Sequence, residues 1–427
     1  MSDRIGASKP SYDLAASPAD AVARLIKRVR RVESERVQLG AAVGRVLAVP
    51  IVADRPSPAA DVSAMDGFAF SVADLVKNRR ALPVRGEIRI GVEPPALTMG
   101  TAVRTVTGAP MPDGADAVVK VEDVVEHVGQ ISVSEQTYSS LKAGLHIRKR
   151  AENIAAGEVV AAAGRLVGPA LVTAMASFGT VTPFVMRKVR VAIISTGDEV
   201  VDPSLVPTDW QLRDGNGPSL RALLTSRPWV EVTSCERVRD DVDAMREAIN
   251  RAIGLTPCGA SNDISGACDA LLLSGGVSMG HRDFVPRCLV DCGADVLFHK
   301  VPQRPGRPLL GAVSAQGQAV LALPGNPLSA LVTARRIGIP VLASMAGMTE
   351  PNVARVRLSG NDSDVIPLWW FRLVGINDAG DAELVDGKGS GDVAAAARSE
   401  GFVEIPPNGH ELDARHTGAW PYYPWNW

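Results

Sequence analysis

The chain has 427 residues, of which 22% are charged and 46% are hydrophobic, and its net charge at pH 7 is −2. This length exceeds one ordinary core, so we expect about two to four domains in a globular protein. The nearly neutral charge supplies no overall field for attracting nucleic acid or an anionic membrane. Met1–Tyr12 lacks an apolar signal core, and no apolar run approaches the ~18 residues of a membrane span. The sequence therefore predicts a cytoplasmic protein.

The cysteines and histidines form no recognisable metal-binding or catalytic motif. All five cysteines lie in one region, without a C-x-x-C pair. Cys288 and Cys292 are four residues apart, which favours neighbours on one helix over a zinc site. The six histidines form no H-E-x-x-H pair, so neither a catalytic zinc nor a Ser-His-Asp triad is favoured.

The N-terminal part of the chain has helix and turn character. Ser17 followed by Pro18 has the pattern of a helix N-cap and first turn, and apolar residues then recur at helical spacing. A short helical piece is expected at 41–47 and a strand at 49–53. Much later, Pro169 to Ser177 again predicts a helix that begins with a proline.

The interval between these helical parts is β-rich. Strand candidates at 84–90, 102–107 and 117–121 are each bounded by turn residues. We therefore predict an inserted β-rich domain II at 61–141. It interrupts a discontinuous domain I, which consists of residues 15–60 and 142–188.

From Val189 onward, predicted strands and helices alternate. The elements are a strand at 189–194, a helix after Asn216, a strand at 230–233, a helix at 241–253, a strand at 270–273 and an amphipathic segment at 284–290. This alternation predicts a largely parallel sheet with helices on both faces. An antiparallel hairpin (309–313 and 319–323) and a helix at 329–344 complete an α/β domain III at 189–348.

The character changes again after Thr349. Strand candidates at 353–358, 371–376 and 402–405 indicate a β-barrel-like domain IV at 349–427. For the Trp- and Pro-rich tail from Trp420, docking on a surface and disorder are both open alternatives. The predicted fold class is α/β multidomain: a doubly wound, largely parallel sheet domain, a discontinuous helix/strand domain, an inserted β-rich domain and a C-terminal β domain.

Domain III contains features of an anion-binding site. Its buried strand at 270–273 stops at Ser274–Gly276, where glycines let the backbone approach an anion. A second rigid loop, Leu323–Pro327, follows a cationic loop that contains Lys300, Arg304 and Arg307. Ligands of open α/β sheets bind at the carboxyl ends of the strands. The pattern therefore predicts an anion-handling site at this edge.

Four acids lie beside turn glycines or at strand ends: Asp66, Glu152, Asp214 and Asp283. Taken singly, each is typical of a turn or cap. Together with the cationic loop they fit a site in which carboxylates hold Mg²⁺ and basic side chains bind phosphates, as in phosphoryl transfer or phosphoanhydride cleavage. The glycine loops match neither a Walker A loop nor a dinucleotide fingerprint, which counts against an ATPase or a dehydrogenase.

Six motifs occur in the order found in one known family. They are Ser63–Ala69 (SAMDGFA), Thr107–Ala109 (TGA), Ser195–Glu199 (STGDE), Ser274–Ser278 (SGGVS), Arg304–Pro308 (RPGRP) and Leu323–Pro327 (LPGNP). The chain resembles the molybdopterin molybdenumtransferases of the MoeA type, which also include the E domain of gephyrin. The resemblance implies insertion of molybdate into adenylylated molybdopterin with Mg²⁺-assisted release of AMP. It also implies an elongated homodimer with the active site between domain III of one subunit and domains I and II of the other.

The resemblance also implies roles for particular residues. The catalytic set is Asp66, Glu152, Asp214, Asp283, Lys300 and Arg304, of which Glu152, Asp214 and Asp283 are the implied Mg²⁺ ligands. The implied substrate-binding residues are Thr107, Gly108, Ser274, Gly275, Gly276, Ser278, Pro305, Arg307, Pro324, Gly325, Asn326, Ser329, Arg372 and Ser390. An adenylyltransferase and molybdoenzyme acceptors are further implied partners, whereas nucleic acid and membrane are not.

The chain departs from the family pattern at a few positions. Val62 and Phe68 replace the usual Asn and Tyr around Asp66, and Ala151-Glu152-Asn153 replaces Gly-Glu-Asp. Arg304 replaces a lysine, which keeps the charge but changes a point donor into a planar fork. We expect activity with an altered metal or oxyanion preference. Two alternatives stay open: an adenylyltransferase that makes the adenylate from ATP, and a non-catalytic scaffold on the same fold.

Overall fold

The computed structural model of the protein describes residues 13–253, 267–277, 284–349, 353–359, 366–407 and 419–426. Their helices are α1 (Pro18–Ile26), α2 (Val72–Lys77), α3 (Glu135–Ser140), α4 (Pro169–Ser177), α5 (Asn216–Thr225), α6 (Val242–Ile253), α7 (Val285–Asp291), α8 (Pro327–Thr333), α9 (Ile339–Met345) and α10 (Val393–Arg398). Short 3₁₀ helices span Leu39–Ala42 and Val121–Asp123, and a π-helical turn at Ala334–Gly338 joins α8 to α9.

The strands of the described residues fall in the same order along the chain. They are β1 (Ser34–Arg36), β2 (Ile51–Val52), β3 (Val62–Ser63), β4 (Gly67–Phe70), β5 (Ala81–Glu87), β6 (Ala102–Thr105), β7 (Ala117–Lys120), β8 (Val124–His127), β9 (Gln130–Val133), β10 (Ile147–Arg148), β11 (Val159–Ala161), β12 (Phe184–Met186) and β13 (Val189–Thr196). After these come β14 (Val200–Val201), β15 (Leu212–Arg213), β16 (Val230–Val238), β17 (Ala270–Ser274), β18 (Asp295–His299), β19 (Gln303–Arg304), β20 (Leu310–Val313), β21 (Ala319–Leu323), β22 (Arg355–Arg357), β23 (Trp369–Ile376), β24 (Ala382–Leu384), β25 (Gly401–Ile405) and β26 (Ala419–Pro424).

The chain divides into two compact units by its internal contacts. One consists of residues 1–49, 163–172 and 182–427, and the other of residues 50–162 and 173–181. The second unit contains a six-stranded sheet in the order β7-β4-β6-β5-β9-β8. Its core includes the fully buried Phe68, Phe70, Leu82 and Ile131. The boundaries of the four predicted domains remain predictions.

The first unit contains the predicted doubly wound sheet, in the order β16-β13-β17-β21-β20-β18. Strands β16, β13, β17 and β21 are parallel, whereas β20 and β18 run antiparallel. Successive residues of β13 face two different cores: Ile193 packs with α1, α5 and α9 residues, and Ile194 packs with α6 and α7 residues. Burial on both faces explains the continuous apolar runs of these strands.

Several predicted elements have shifted ends. The strand predicted at 230–233 continues to Val238, because β16 is an edge strand whose exposed side tolerates polar residues. The helical piece predicted at 41–47 is a 3₁₀ turn that ends at Ala42. The closing helix begins at Pro327, two residues earlier than predicted, and passes through the π-helical turn.

The first unit also contains a C-terminal sheet in the order β19-β23-β25-β26-β22, with β24 paired to β23. Its outermost strand, β19, comes from the cationic loop and pairs in parallel with β23. The Trp-rich tail forms β26, which pairs with β25 and β22. The cationic loop is therefore part of both the α/β region and the C-terminal sheet.

One stretch, Pro327–Met345, is long and apolar enough to cross a membrane, with a mean hydropathy of 1.3. However, 83% of it is buried inside the protein. Val332, Ile337 and Val341, for example, are fully buried. It is a core helix.

Candidate functional site

A large cavity lies at the carboxyl ends of β13, β17 and β21, where the predicted anion site was expected. Its volume is about 1120 Å³, enough for a nucleotide-sized ligand. The loops after these strands form one wall, and the C-terminal sheet with the turn at 385–390 forms the other. The predicted site residues that line it are Asp214, Ser274, Gly275, Gly276, Arg304, Pro305, Arg307, Pro324, Gly325, Asn326, Ser329, Arg372 and Ser390.

The glycine loop after β17 needs glycine for two reasons. Gly275 and Gly276 have φ values of +102° and +65°, in the left-handed region. A Cβ atom on Gly275 would lie 2.5 Å from the backbone oxygen of Thr196 in the neighbouring loop. The loops after β13 and β17 therefore approach closely, and their backbone forms the floor of the cavity.

Asp214 is buried at the start of α5, and its orientation is fixed. Its Oδ1 accepts hydrogen bonds from the backbone N–H groups of Asn216 and Gly217, each at 3.0 Å. A Cβ atom on Gly217 would lie 2.8 Å from Asp214 Oδ2. Asp214 is thus a helix cap, as its sequence position suggested, and it also lines the cavity.

Asn216 joins two loops of the site, although it was absent from the predicted set. Its Nδ2 donates to Ser274 Oγ at 2.6 Å and to the backbone oxygen of Gly325 at 2.7 Å. Among the described residues, its buried Oδ1 has no hydrogen-bond partner. The signal in the sequence was its place in Asp214-Gly215-Asn216, two residues beyond a predicted acid.

The cavity contains charges of both signs. Four acids (Glu199, Asp214, Asp240 and Asp386) and five basic residues (Arg213, Arg304, Arg307, Arg372 and Lys388) line it. Thr196 Oγ1 donates to Asp240 Oδ1 at 2.6 Å, which fixes that carboxylate. This mixture suits a phosphate-bearing ligand together with a divalent cation.

The two walls of the cavity are joined by direct contacts. Asn326 Nδ2 donates to Ser390 Oγ at 2.8 Å, across from the LPGNP loop to the turn of the C-terminal sheet. Arg304 lies opposite Trp370 in the β19–β23 pair. The guanidinium carbons of Arg304 and Arg372 lie 5.9 and 4.1 Å from the centroid of the Trp370 ring. Trp370 is a second lining residue that the sequence did not reveal.

The remaining predicted residues are distributed differently. Lys300 has a φ of +84° and does not contribute to the lining of this cavity. Asp66, Thr107, Gly108 and Glu152 belong to the unit that contains residues 50–162. Ser278 and Asp283 lie outside the described residues.

In that unit, Asp66 and Thr107 form one local arrangement. The backbone N–H and Oγ1 of Thr107 donate to Asp66 Oδ1 at 2.7 and 2.9 Å. These bonds, the backbone one foremost, lower the pKa of the exposed Asp66 carboxyl below its usual value. The carboxyl is therefore ionised at neutral pH and oriented by the TGA turn. Phe68, where the family pattern has Tyr, is fully buried.

Glu152 is exposed and accepts from the backbone N–H of Lys149 at 2.9 Å and from Arg148 Nε at 3.3 Å. The described residues contain no group of three or more His, Cys, Asp and Glu side chains placed to hold a metal. Mg²⁺ needs only one or two carboxylates when phosphate and water complete its shell. Asp214, whose Oδ2 accepts none of the hydrogen bonds seen among the described residues, fits that requirement.

Comparison with known proteins shows the family and the fold of the chain. Residues 16–179 match the MoeA N-terminal region (domain I and II), and residues 192–344 match the probable molybdopterin binding domain. The fold is a multidomain α/β architecture, and its similar solved structures include a molybdopterin biosynthesis MoeA protein from Pyrococcus horikoshii OT3. That structure has a TM-score of 0.75 at 25% identity over 92% of this chain and 96% of that chain.

Two curated relatives are similar over much of the chain. The molybdopterin molybdenumtransferase of Synechococcus elongatus is 37% identical over 316 residues, which cover 72% of this chain and 74% of the relative. The same-named protein of Staphylococcus aureus is 29% identical over 408 residues, 93% of each chain. The chain therefore belongs to the molybdopterin molybdenumtransferase family.

Proposed function

We propose that this chain acts in molybdenum cofactor biosynthesis by inserting molybdate into adenylylated molybdopterin, with Mg²⁺-dependent release of AMP. The observation that carries the proposal is the cavity at the strand ends, where two glycine loops, the fixed carboxylate of Asp214 and five basic residues converge. Family membership supports the coarser part of the proposal. The nature of the adenylylated substrate and the role of Mg²⁺ are its finer parts.

The described residues divide the work in this proposal. The loops at Ser274–Gly276 and Pro324–Asn326 accommodate the pterin and nucleotide, because Asn216 Nδ2 holds them together through the Ser274 hydroxyl and the Gly325 backbone oxygen. Arg304, with Lys300 from the same loop, stabilises charge that builds up on the cleaved phosphate. Arg372 and Ser390 bind the oxyanion. Bound Mg²⁺, held by Asp214 with Glu152 and Asp283, supplies polarisation of the phosphoanhydride.

We further propose that the active site is completed by a second copy of the chain. Asp66, Thr107 and Glu152 are the predicted site residues of the unit containing residues 50–162, and in this proposal they reach the cavity of a partner subunit in a cytoplasmic homodimer. Measuring the mass in solution tests the dimer. Mixing an Asp214→Asn subunit with a Glu152→Gln subunit tests the shared site, because only a mixed dimer contains one intact site.

The decisive experiment uses the purified protein, adenylylated molybdopterin, Mg²⁺ and either molybdate or tungstate. The expected products are AMP and metal-loaded cofactor, formed only when the oxyanion and Mg²⁺ are both present. If ATP and free molybdopterin instead yield the adenylate, the chain is an adenylyltransferase. If the substrate binds but no AMP is released under any condition, a scaffold role is favoured.

A further inference from the structure

The side chains of Arg304, Trp370 and Arg372 meet on one face of the C-terminal sheet. Arg304 on β19 lies directly opposite Trp370 on β23. Arg372 is two residues further along β23, and side chains two apart in a strand share a face. All three line the cavity. The intervening Phe371 also borders the cavity, but it is buried and its ring contacts Phe402 with 5.4 Å between centroids.

The half-buried Trp370 ring lies within cation–π range of both guanidinium groups. Arg372 is close, at 4.1 Å from the ring centroid, and Arg304 lies at 5.9 Å, near the outer limit of about 6 Å for this contact. A guanidinium that stacks on a ring through its flat face keeps its N–H donors at the edge. The ring contacts therefore restrict the orientation of both guanidinium groups in the cavity wall.

The guanidinium groups of Arg304 and Arg372 both lie at the Trp370 ring, and two positive charges held close together favour binding of an anion. The side-chain contact seen for Arg304 among the described residues is the one with the Trp370 ring. The turn with Ser390 lines the same cavity, and the Ser390 hydroxyl is fixed by Asn326. Two planar donor forks and a hydroxyl suit a small tetrahedral dianion, which offers acceptor oxygens in several directions.

We infer that Trp370 is a positioning residue whose indole ring sets Arg372 and Arg304 for binding one tetrahedral oxyanion. The inference rests on the proposed function, since it assigns the ring to the oxyanion half of that site. Trp370 acts through the two arginines and does not itself contact the reacting atoms. It adds to the family assignment a residue that determines how tightly the oxyanion is held.

The test compares Trp370→Leu and Trp370→Phe with the full-length protein. Trp369→Leu is the matched control, because Trp369 is the neighbouring tryptophan on the same strand and does not line the cavity. Binding is measured by titration calorimetry with molybdate alone and with sulfate. The reaction is then followed at varied molybdate concentration, with thermal unfolding recorded for every variant.

Loss of the ring face should raise the Kd and KM for molybdate roughly 5- to 30-fold in Trp370→Leu, from two cation–π contacts. The KM for the pterin nucleotide should change less than twofold, and the kcat at saturating molybdate should change less than the KM for molybdate, because the contact of Arg304 with the ring is the weaker of the two. Trp370→Phe should recover most of the affinity, because it keeps a π face. A merely structural role would lower the unfolding temperature and both KM values without recovery in the phenylalanine variant.

The outcomes separate this inference from the proposed function. If Trp370→Leu binds molybdate within twofold of Trp369→Leu, the inference is wrong even though the enzyme turns over. If the wild-type protein binds sulfate but neither binds nor uses molybdate, the proposed function is wrong. The sulfate affinity of Trp370→Leu then still decides the role of the ring. If the wild-type protein binds no tetrahedral anion, both are wrong.

Discussion

Asp214 offers the sharpest test, because the structure gives it two separable roles. Its Oδ1 caps α5 through the N–H groups of Asn216 and Gly217, and its charge lies in the cavity wall. Asp214→Ala removes both the cap and the charge. Asp214→Asn removes the charge and keeps an acceptor oxygen at the cap position. Comparing the two variants separates stability from chemistry.

The magnitudes follow from this geometry. Loss of a cap costs about 0.5–2 kcal/mol, and we expect the upper half of that range for Asp214→Ala because two N–H groups lose their acceptor in a buried position. Asn is nearly equivalent to Asp as a cap, so Asp214→Asn should lose only a few tenths of a kcal/mol. Turnover should fall on the order of 100-fold in both variants, since removing one preorganised electrostatic contact typically has that effect.

Urea unfolding measures the first quantity, and AMP release from adenylylated molybdopterin measures the second. Ser17→Ala is the control, because Ser17 caps α1 through the N–H of Asp20 at 3.0 Å and does not line the cavity. It should lose about 1 kcal/mol with unchanged turnover. If Asp214→Asn released AMP at the wild-type rate, Asp214 would be a cap only, and its assignment as a Mg²⁺ ligand would be refuted.

Three other substitutions have defined outcomes. At an ordinary helix position a Gly→Ala substitution stabilises by up to ~1 kcal/mol, but the Cβ of Gly217→Ala would lie 2.8 Å from Asp214 Oδ2. We therefore expect the free energy of unfolding in urea to fall by about 1–3 kcal/mol and turnover to slow. A stabilised, fully active variant would contradict this. Glu404→Ala leaves the buried Arg336 without its carboxylate and should cost about 3–5 kcal/mol, most of which the Arg336→Met/Glu404→Leu double variant should recover. Burial raises the pKa of the Cys268 thiol from 9.0 to about 12, so the free energy of unfolding is unaffected below pH 9 and falls above it, as the thiol of the unfolded chain ionises. Between pH 8 and pH 10.5, Cys268→Ala should therefore lose about 2 kcal/mol less of this free energy than the wild-type protein. An equal loss in both proteins would show that this thiol does not contribute.

The core of the α/β region could be predicted because its physics is local. Strands such as Val189–Thr196 and Ala270–Ser274 are buried on both faces, so each appears in the sequence as an uninterrupted apolar run. The turn chemistry then places Gly275 and Asp214 at the carboxyl ends. Most of the cavity follows from that rule, because a parallel sheet brings the ends of its strands to one edge.

The C-terminal sheet could not be predicted in the same way. Strand β19 has two residues, and its pairing with β23 joins segments more than sixty residues apart, so no periodicity marks it. Strand β26 contains Pro421 and Pro424, which ordinarily argue against a strand. Side-chain contacts stabilise it: Tyr423 stacks on Phe402 with 5.2 Å between centroids. Trp370 and its arginines could be recognised only once these pairings were known.

Helix α1 illustrates a different limit. Its apolar residues recur at helical spacing in the sequence, and two of them, Ala21 and Leu25, are buried in the structure. An apolar stripe indicates which face of a helix is buried, but it does not indicate which element packs against that face. In the structure this stripe packs in the same core as Ile193, Ile337 and Leu342, residues of the region assigned to domain III. The sequence order alone favoured a separate N-terminal domain.

The two walls of the cavity are held by one helical segment. Its N-terminal end is the LPGNP loop, and its π-helical turn carries two successive arginines that both reach the C-terminal sheet. Arg335 Nε donates to the backbone oxygen of Pro424 at 2.7 Å, and Arg336 pairs with Glu404 at 2.5 Å. Both guanidinium groups also lie over the Tyr423 ring.

Successive residues of a regular α-helix point about 100° apart, but in this π turn the successive residues Arg335 and Arg336 both reach the Tyr423 ring. Glu404 lies opposite Phe371 in the β23–β25 pair, and Phe371 lies between Trp370 and Arg372, the residues of the inferred oxyanion site. The buried ion pair therefore fixes the position of that strand relative to the loop that begins the helix. For this reason Glu404→Ala should weaken molybdate binding as well as stability. The Arg336→Met/Glu404→Leu double variant should recover more of the stability than of the molybdate affinity.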